Sequence, residues 1–232
     1  MILRIGTFNI LNTSVRYSER KNYITQAIQD MNCDILGLQE VNLTGNMDAL
    51  NFSHYRFEFI PLPNPMFKDD PNFRIDGNAL LIKNDIEIIE KHSLVYSNNL
   101  RVAQILKVKK NNSEFVIANT HLDYLSEETR ETQVNELLNF LTNFEDFPIV
   151  LTGDFNFTPT SRLYEIMTCR FKSSHFACHN FEPELTFKTG LKGEYLDQNT
   201  DRCIDYVWLR GKSEPISCYV FTLNLGTPPT GT

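Results

Sequence analysis

Apolar residues recur along the chain in short runs bounded by turn-forming residues, the signature of β-strands. The runs are Ile2 to Ile10, Asp34 to Gln39, Tyr55 to Ile60, Asn78 to Lys83, Val102 to Val108, Phe115 to His121, Ile149 to Thr152, Cys203 to Leu209 and Ser217 to Leu223. Two segments carry helical spacing instead. Ile24, Ala27, Ile28 and Met31 follow i, i+3, i+4, i+7, and Val134, Leu137, Leu138, Leu141 and Phe144 form a similar stripe. Ser126 precedes the second stripe as an N-cap, with Glu127 and Glu128 placed to complement the helix dipole. Strands outnumber helices and several follow one another through short turns. That order predicts two packed mixed sheets flanked by helices rather than a strictly alternating βα fold.

No internal repeat, low-complexity tract or long Gly/Ser linker divides the chain, so one domain over residues 1–232 is expected. The stretch Pro61 to Phe73, with Pro63, Pro65 and Pro71, reads as a long loop of the kind that often belongs to a binding surface. Within and beside it, Phe67 and Phe73 with Lys68 and Arg74 offer rings and cations to a nucleic acid single strand. The same side chains would equally serve to pack the loop on the sheet.

At 232 residues and 41% hydrophobic, the chain can bury a large core. It has no run of apolar residues long enough to span a bilayer, and the N-terminus passes straight into a strand pattern without the regions of a signal peptide. A soluble, intracellular and cytoplasmic protein is the expectation. The 5 cysteines are scattered, without C-x-x-C or zinc-ligand spacing, and read as reduced thiols. A net charge of -7 disfavours tight sequence-independent binding to duplex nucleic acid. A nuclease is compatible with it, because a local basic groove or a bound metal cation supplies positive charge of its own.

The chemistry lies in polar side chains at the ends of apolar strands. Asn9 follows Arg4 to Phe8, Glu40 follows Asp34 to Gln39, His121 closes Phe115 to Thr120, and Asp154 and Asn156 follow Ile149 to Gly153. Strands that end this way bring polar groups to one rim, where active sites of α/β folds lie. Each residue alone has a plainer explanation: Asn as a turn former, Glu as a helix N-terminal residue, His as a structural side chain, and Gly153-Asp154-Phe155-Asn156 as an Asx turn. Asp205 is the sharpest anomaly. In Cys203-Ile204-Asp205-Tyr206-Val207-Trp208-Leu209 residues of both parities are apolar, so its carboxylate is expected in a strand covered on both faces. Such a group needs a cation or strong donors: either a structural arginine, Arg202 or Arg101, or a place in a site. His175 and His179, at i and i+4, read as exposed loop histidines rather than a metal pair, and Lys107, Lys109 and Lys110 as part of a solvated hairpin rather than a phosphate patch.

Together the segments Thr7-Phe8-Asn9-Ile10, Leu38-Gln39-Glu40-Val41, Gly77-Asn78-Ala79-Leu80-Leu81, Asn119-Thr120-His121-Leu122-Asp123, Gly153-Asp154-Phe155-Asn156 and Ile204-Asp205-Tyr206 resemble, in this order, the endonuclease/exonuclease/phosphatase superfamily. The resemblance runs from Met1 to about Leu209, and Asp123-Tyr124-Leu125-Ser126 with Pro183 to Tyr206 lies nearer its deadenylase-like branch than DNase I. It implies a DNase I-like four-layer α/β sandwich and metal-dependent phosphoester hydrolysis. By that resemblance Glu40 is the principal ligand of Mg²⁺ or Mn²⁺ with Asn9 beside it, and His121 donates to a phosphate oxygen. Asp154 orients or deprotonates water or protonates the leaving oxygen, and Asn156 holds phosphate or water in line. Asp205 partners a later histidine.

The expected substrate is a phosphodiester in RNA or another nucleic acid, single-stranded nucleic acid among them, with inositol phosphates and phospholipids as the other substrate class. The family's closing Ser-Asp-His element has no counterpart, since no His follows His179. A truncated chain, a substituted active site, and a phosphate- or partner-binding module that has lost catalysis are the open explanations.

Overall fold

A computed structural model describes residues 1–11, 17–43, 53–64, 75–187 and 202–222. Strands β1 (Ile5–Asn9), β2 (Ile35–Asn42), β3 (Tyr55–Pro61) and β4 (Asp76–Lys83) form one sheet in the order β1-β2-β4-β3. A second sheet has the order β5-β6-β7-β8-β10-β9, from β5 (Glu87–Val95), β6 (Val102–Lys110), β7 (Ser113–His121), β8 (Ile149–Asp154), β9 (Lys172–Ser173) and β10 (Asp205–Arg210). Both sheets are mixed: β1 runs parallel to β2 and β7 parallel to β8, while the other pairings are antiparallel. Helix α1 (Tyr17–Met31) follows β1. Helices α2 (Glu127–Phe140), α3 (Arg162–Thr168) and α4 (Ser174–His179) come later in the chain.

The side chains sort into three apolar layers, which explains why strand sequences such as Asn78 to Lys83 are continuously hydrophobic instead of alternating. On the outer face of the first sheet, Ile24 and Ile28 of α1 pack with Leu36, Leu38, Ala79 and Leu81. Between the sheets lie Ile35, Leu80, Ile82, Leu106, Val108, Ile117 and Val150. Beyond the second sheet, Val134 and Leu137 of α2 and Leu163 and Met167 of α3 pack on Ile105, Val116, Leu151 and Trp208. The result is the expected sandwich of two mixed sheets with helices outside. Each buried Leu or Ile contributes about 1.5–3 kcal/mol.

A polar network crosses the middle layer. Asn119 of β7 donates from Nδ2 to the carbonyls of Leu38 and Ala79, both at 2.9 Å, and its Oδ1 accepts from Gln39 Nε2 at 2.7 Å. Thr152 Oγ1 donates to Ala118 O at 3.0 Å beside it. Every partner is buried, so the network is saturated where an unmatched group would cost about 1–3 kcal/mol. Gly37 gives it room: a Cβ there would stand 2.7 Å from Asn119 Oδ1 and collide with Thr152 Oγ1.

Several sequence expectations need correction. Residues 217–222 form no strand; the edge of β10 that is not taken by β8 is occupied by β9. The Cys203-to-Leu209 strand begins at Asp205 instead, because Ile204 and Asp205 N–H groups both turn to Thr186 Oγ1. Strand β2 continues through Glu40 by way of a bulge between Leu38 and Val41. His175 and His179 belong to α4 rather than a loop; His175 is half-buried, and the rings lie 4.4 Å apart. Lys107 and Lys110 are not simply solvated. Lys107 pairs with Glu90 and Glu114, and Lys110 with Asp34 and Asp85. The Ser126 cap is as expected, its side chain accepting from Thr129 N at 3.2 Å. Phe67, Lys68, Phe73 and Arg74 lie outside the described residues. No helix among the described residues is long and apolar enough to cross a membrane.

Candidate active site

Strand register builds the site. His121 ends β7 and pairs with Asp154 at the end of β8, which in turn pairs with Asp205 at the start of β10. Three polar residues therefore stand on one rung of the second sheet. The first sheet contributes Asn9 from the end of β1 and Glu40 from the bulge of β2. Because β1 packs against β8 and β10, these two groups reach the same rim. All six predicted residues, Asn9, Glu40, His121, Asp154, Asn156 and Asp205, line one cavity of about 1680 Å³.

Hydrogen bonds tie them together. Asn9 Nδ2 donates to Glu40 Oε1 at 2.9 Å and to Asp154 Oδ2 at 3.0 Å, while its Oδ1 accepts from Leu11 N at 2.9 Å. Asn9 thus meets the carboxylates as a donor, and ligation through its oxygen would require the amide to rotate. Asp154 Oδ1 accepts from Asn156 N at 3.0 Å. His121 Nε2 lies 3.1 Å from Asn156 Nδ2 and 3.7 Å from Asp154 Oδ2, and its Nδ1 lies 3.3 Å from Arg101 Nη1. Glu40 and Leu11 hold positive φ of 57° and 61°, and Asn156 holds 52°. For Glu and Leu that conformation costs on the order of 1 kcal/mol or more, a strain typical of functional sites.

The electrostatics follow from burial and crowding. Burial, then Asp205 and Glu40, push the Asp154 carboxyl well above its usual range, against donation from Asn9. Asp205 rises to about 6 through burial, with Glu40 adding to the rise and Thr186 opposing it. Thr186 Oγ1 donates to Asp205 Oδ2 at 2.6 Å, whereas the buried Oδ1 has no hydrogen-bond partner among the described residues. The Asp205 carboxyl lies in the wall of the same cavity as the other five predicted residues. Burial and then the Arg101 charge hold His121 well below its usual value, so the ring is neutral and its approach to Asp154 is not an ion pair.

The donor set suits a hard cation: three carboxylates repel one another here, and one of their oxygens is buried without a donor. No three Asp, Glu, His or Cys side chains among the described residues are arranged to chelate one ion together.

Two neighbours were not legible as site residues in the sequence. Arg101 entered only as a partner for Asp205, yet contacts His121. Thr186 gave no signal at all, being brought to Asp205 by the bridge between Phe187 and Arg202.

Comparison with known proteins finds relatives over most of the chain. Nocturnin of Mus musculus is 28% identical over 217 residues, 84% of this chain and 49% of the relative. Nocturnin of Drosophila melanogaster is 26% identical over 233 residues, 93% of this chain and 36% of the relative. The chain thus spans about half the length of these curated relatives or less. Among solved structures, the human Nocturnin catalytic domain with bound sulfate anion superposes with a TM-score of 0.75 at 25% identity, covering 90% of this chain and 81% of that one. A mannosyl-6-phosphatase of Bacteroides thetaiotaomicron reaches the same TM-score of 0.75 at 19% identity, covering 91% and 86%, and shares the fold. The Nocturnin relatives agree with the deadenylase-like branch expected from the sequence. The model of the Endonuclease/Exonuclease/phosphatase family matches residues 6–227, and the chain belongs to that family.

Proposed function

We propose that the chain is a divalent-metal-dependent phosphoesterase whose substrate is a phosphodiester in RNA or another nucleic acid. One observation carries this reading: the acidic groups Glu40, Asp154 and Asp205 and the neutral side chains His121 and Asn156 line a single open cavity. Acids beside neutral N–H donors are what in-line displacement at phosphorus requires.

Glu40 and Asp205 would hold Mg²⁺ or Mn²⁺, which would offset their mutual repulsion and withdraw charge from a phosphoryl oxygen. Asp154, its proton affinity raised by burial and by its acidic neighbours, takes the proton of an attacking water as the P–O bond to the leaving oxygen breaks, and can return that proton to the leaving oxygen. Asn9 keeps Glu40 and Asp154 apart at a fixed distance by donating to both. His121 and Asn156 direct N–H groups at the non-bridging oxygen, where charge grows in the transition state. Nucleic acid is the preferred substrate class because Tyr124, half exposed beside the cavity and 6.0 Å from the Arg101 guanidinium, presents a ring on which a base can stack.

The test is hydrolysis of bis-p-nitrophenyl phosphate, oligo(A), inositol phosphates and phospholipids with Mg²⁺. Turnover of the first two, abolished by Glu40→Gln, Asp154→Ala or EDTA, is the expected result. A folded protein that binds Mg²⁺ and turns over nothing on this panel would instead be a phosphate- or partner-binding module.

A further inference from the structure

We propose that Arg101 is a positioning residue that fixes His121 as the Nε2–H tautomer, so that Nε2–H and the Asn156 amide together form a two-donor seat for an anionic oxygen. Its functional consequence rests on the phosphoesterase reading above; the tautomer itself does not.

The argument is one of donors and acceptors. A guanidinium has five N–H donors and no acceptor, and it stays charged at any pH the protein tolerates. Arg101 Nη1 lies 3.3 Å from His121 Nδ1, with both residues buried. Both ring nitrogens face a donor, and the charged guanidinium outweighs the neutral amide, so Nδ1 presents its lone pair and the single proton of a neutral imidazole goes to Nε2. At Nε2 the neighbour is Asn156 Nδ2, 3.1 Å away, which also donates to Leu122 O at 3.1 Å. Two N–H groups thus converge without an acceptor between them. Turning the Asn156 amide over does not resolve this, because its oxygen would then leave Leu122 O without a donor and face it. Each amide setting leaves one repulsive contact. An anionic oxygen accepting from both Nε2–H and Nδ2–H removes it, and a phosphoryl oxygen fits that description. Arg101 touches Nδ1, on the far side of the ring from this seat, so it acts through His121.

The experiment reads the imidazole directly. Protein labelled with ¹⁵N-histidine, in EDTA and without substrate at about pH 8, is examined by long-range ¹H–¹⁵N correlation, with His121→Gln identifying the signals by their loss. Wild type and Arg101→Lys are expected to show a pyrrole-type Nε2 and a pyridine-type Nδ1. Arg101→Leu is expected to lose that preference and to lower kcat on oligo(A) at least about tenfold, with Arg101→Lys within a few-fold of wild type. An Nδ1–H pattern in the wild type overturns the proposal whether or not Arg101→Leu folds, and so does a folded Arg101→Leu with the wild-type pattern. An Nε2–H tautomer lost in Arg101→Leu, in a protein that hydrolyses nothing, supports the proposal and sinks only the phosphoesterase reading.

Discussion

His121 and Asp154 are register partners at the ends of parallel strands β7 and β8, with Nε2 3.7 Å from Oδ2. A neutral donor and a proton-binding carboxyl are thus fixed on adjacent strands, where neither can move without the sheet. His121→Ala should lower kcat by about 10²–10³, equivalent to about 2.7–4 kcal/mol, with KM little changed, as for other donors to a developing oxyanion. Steady-state kinetics on oligo(A) measures it, and a loss below about tenfold would remove His121 from its assigned role.

Stability should fall as pH rises toward neutrality when divalent cations are absent. Asp205 binds its proton more tightly folded, at about 6, than in the unfolded chain, near 3.8, and Asp154 shifts in the same direction. A carboxyl raised on folding stabilises the native state fully below the unfolded value, and that stability is lost as pH climbs through the folded one. In EDTA, Tm should drop between about pH 4 and 7, and Asp205→Asn should flatten the drop. Equal slopes for the two proteins would contradict the shift.

Relief of the same crowding predicts an opposition between stability and turnover at Glu40. Glu40→Gln keeps an oxygen for Asn9 Nδ2 but removes a charge that raises both Asp154 and Asp205. The variant should melt at or above the wild-type temperature in EDTA, gain less from added Mg²⁺, and lose turnover. Calorimetric scans with and without Mg²⁺ decide it; a wild type that gains no Tm from the ion would count against a cation at Glu40.

Tyr124 offers a test of substrate class. Tyr124→Ala should raise KM for oligo(A) by about tenfold, since stacking of a base on an aromatic ring is worth about 1–3 kcal/mol. Bis-p-nitrophenyl phosphate, which has no base, should be hydrolysed with kinetics close to wild type. A parallel change on both substrates would assign Tyr124 to packing.

Between the sheets, Gly37→Ala should destabilise by about 1–3 kcal/mol through overpacking, because the new methyl meets Thr152 Oγ1 and Asn119 Oδ1. Adding Thr152→Ala should recover part of that loss, although Thr152→Ala alone is destabilising through its bond to Ala118 O. Urea titration of the four proteins gives the coupling, and strictly additive losses would show that the two positions do not meet.

Strands β2, β4, β7 and β8 were legible because both faces of each are covered, which makes their sequences largely apolar, whereas β3, at a sheet edge, alternates Arg56 and Glu58 with Phe57 and Phe59. Strand β5 escaped detection. Its sequence, Glu87 to Val95, lies at a sheet edge and is largely exposed, so it carries charged and polar residues where inner strands carry Leu and Ile. Helices α3 and α4 are too short to display a stripe. Among the candidate site residues, Asn9, Glu40, His121, Asp154 and Asn156 stood out because they follow apolar runs and Asp205 because it interrupts one, but their mutual arrangement was not legible. That Asp154 sits beside Asp205, or that Thr186 caps the latter, is a matter of register between segments far apart in the chain. The role of Arg101 was hidden for the same reason: nothing local to Leu100-Arg101-Val102 points across the sheet to His121.

Glu40 comes directly after Gln39, while His121 and Asp154 come shortly after Asn119 and Thr152. The interior amides that join the sheets therefore act as a gauge, setting the width of the candidate site from within rather than from the surface. Softening the outer helices leaves that width intact until the middle layer itself lets go. Heat inactivation and global melting should consequently coincide, with no temperature range in which a folded chain has already lost its catalytic spacing.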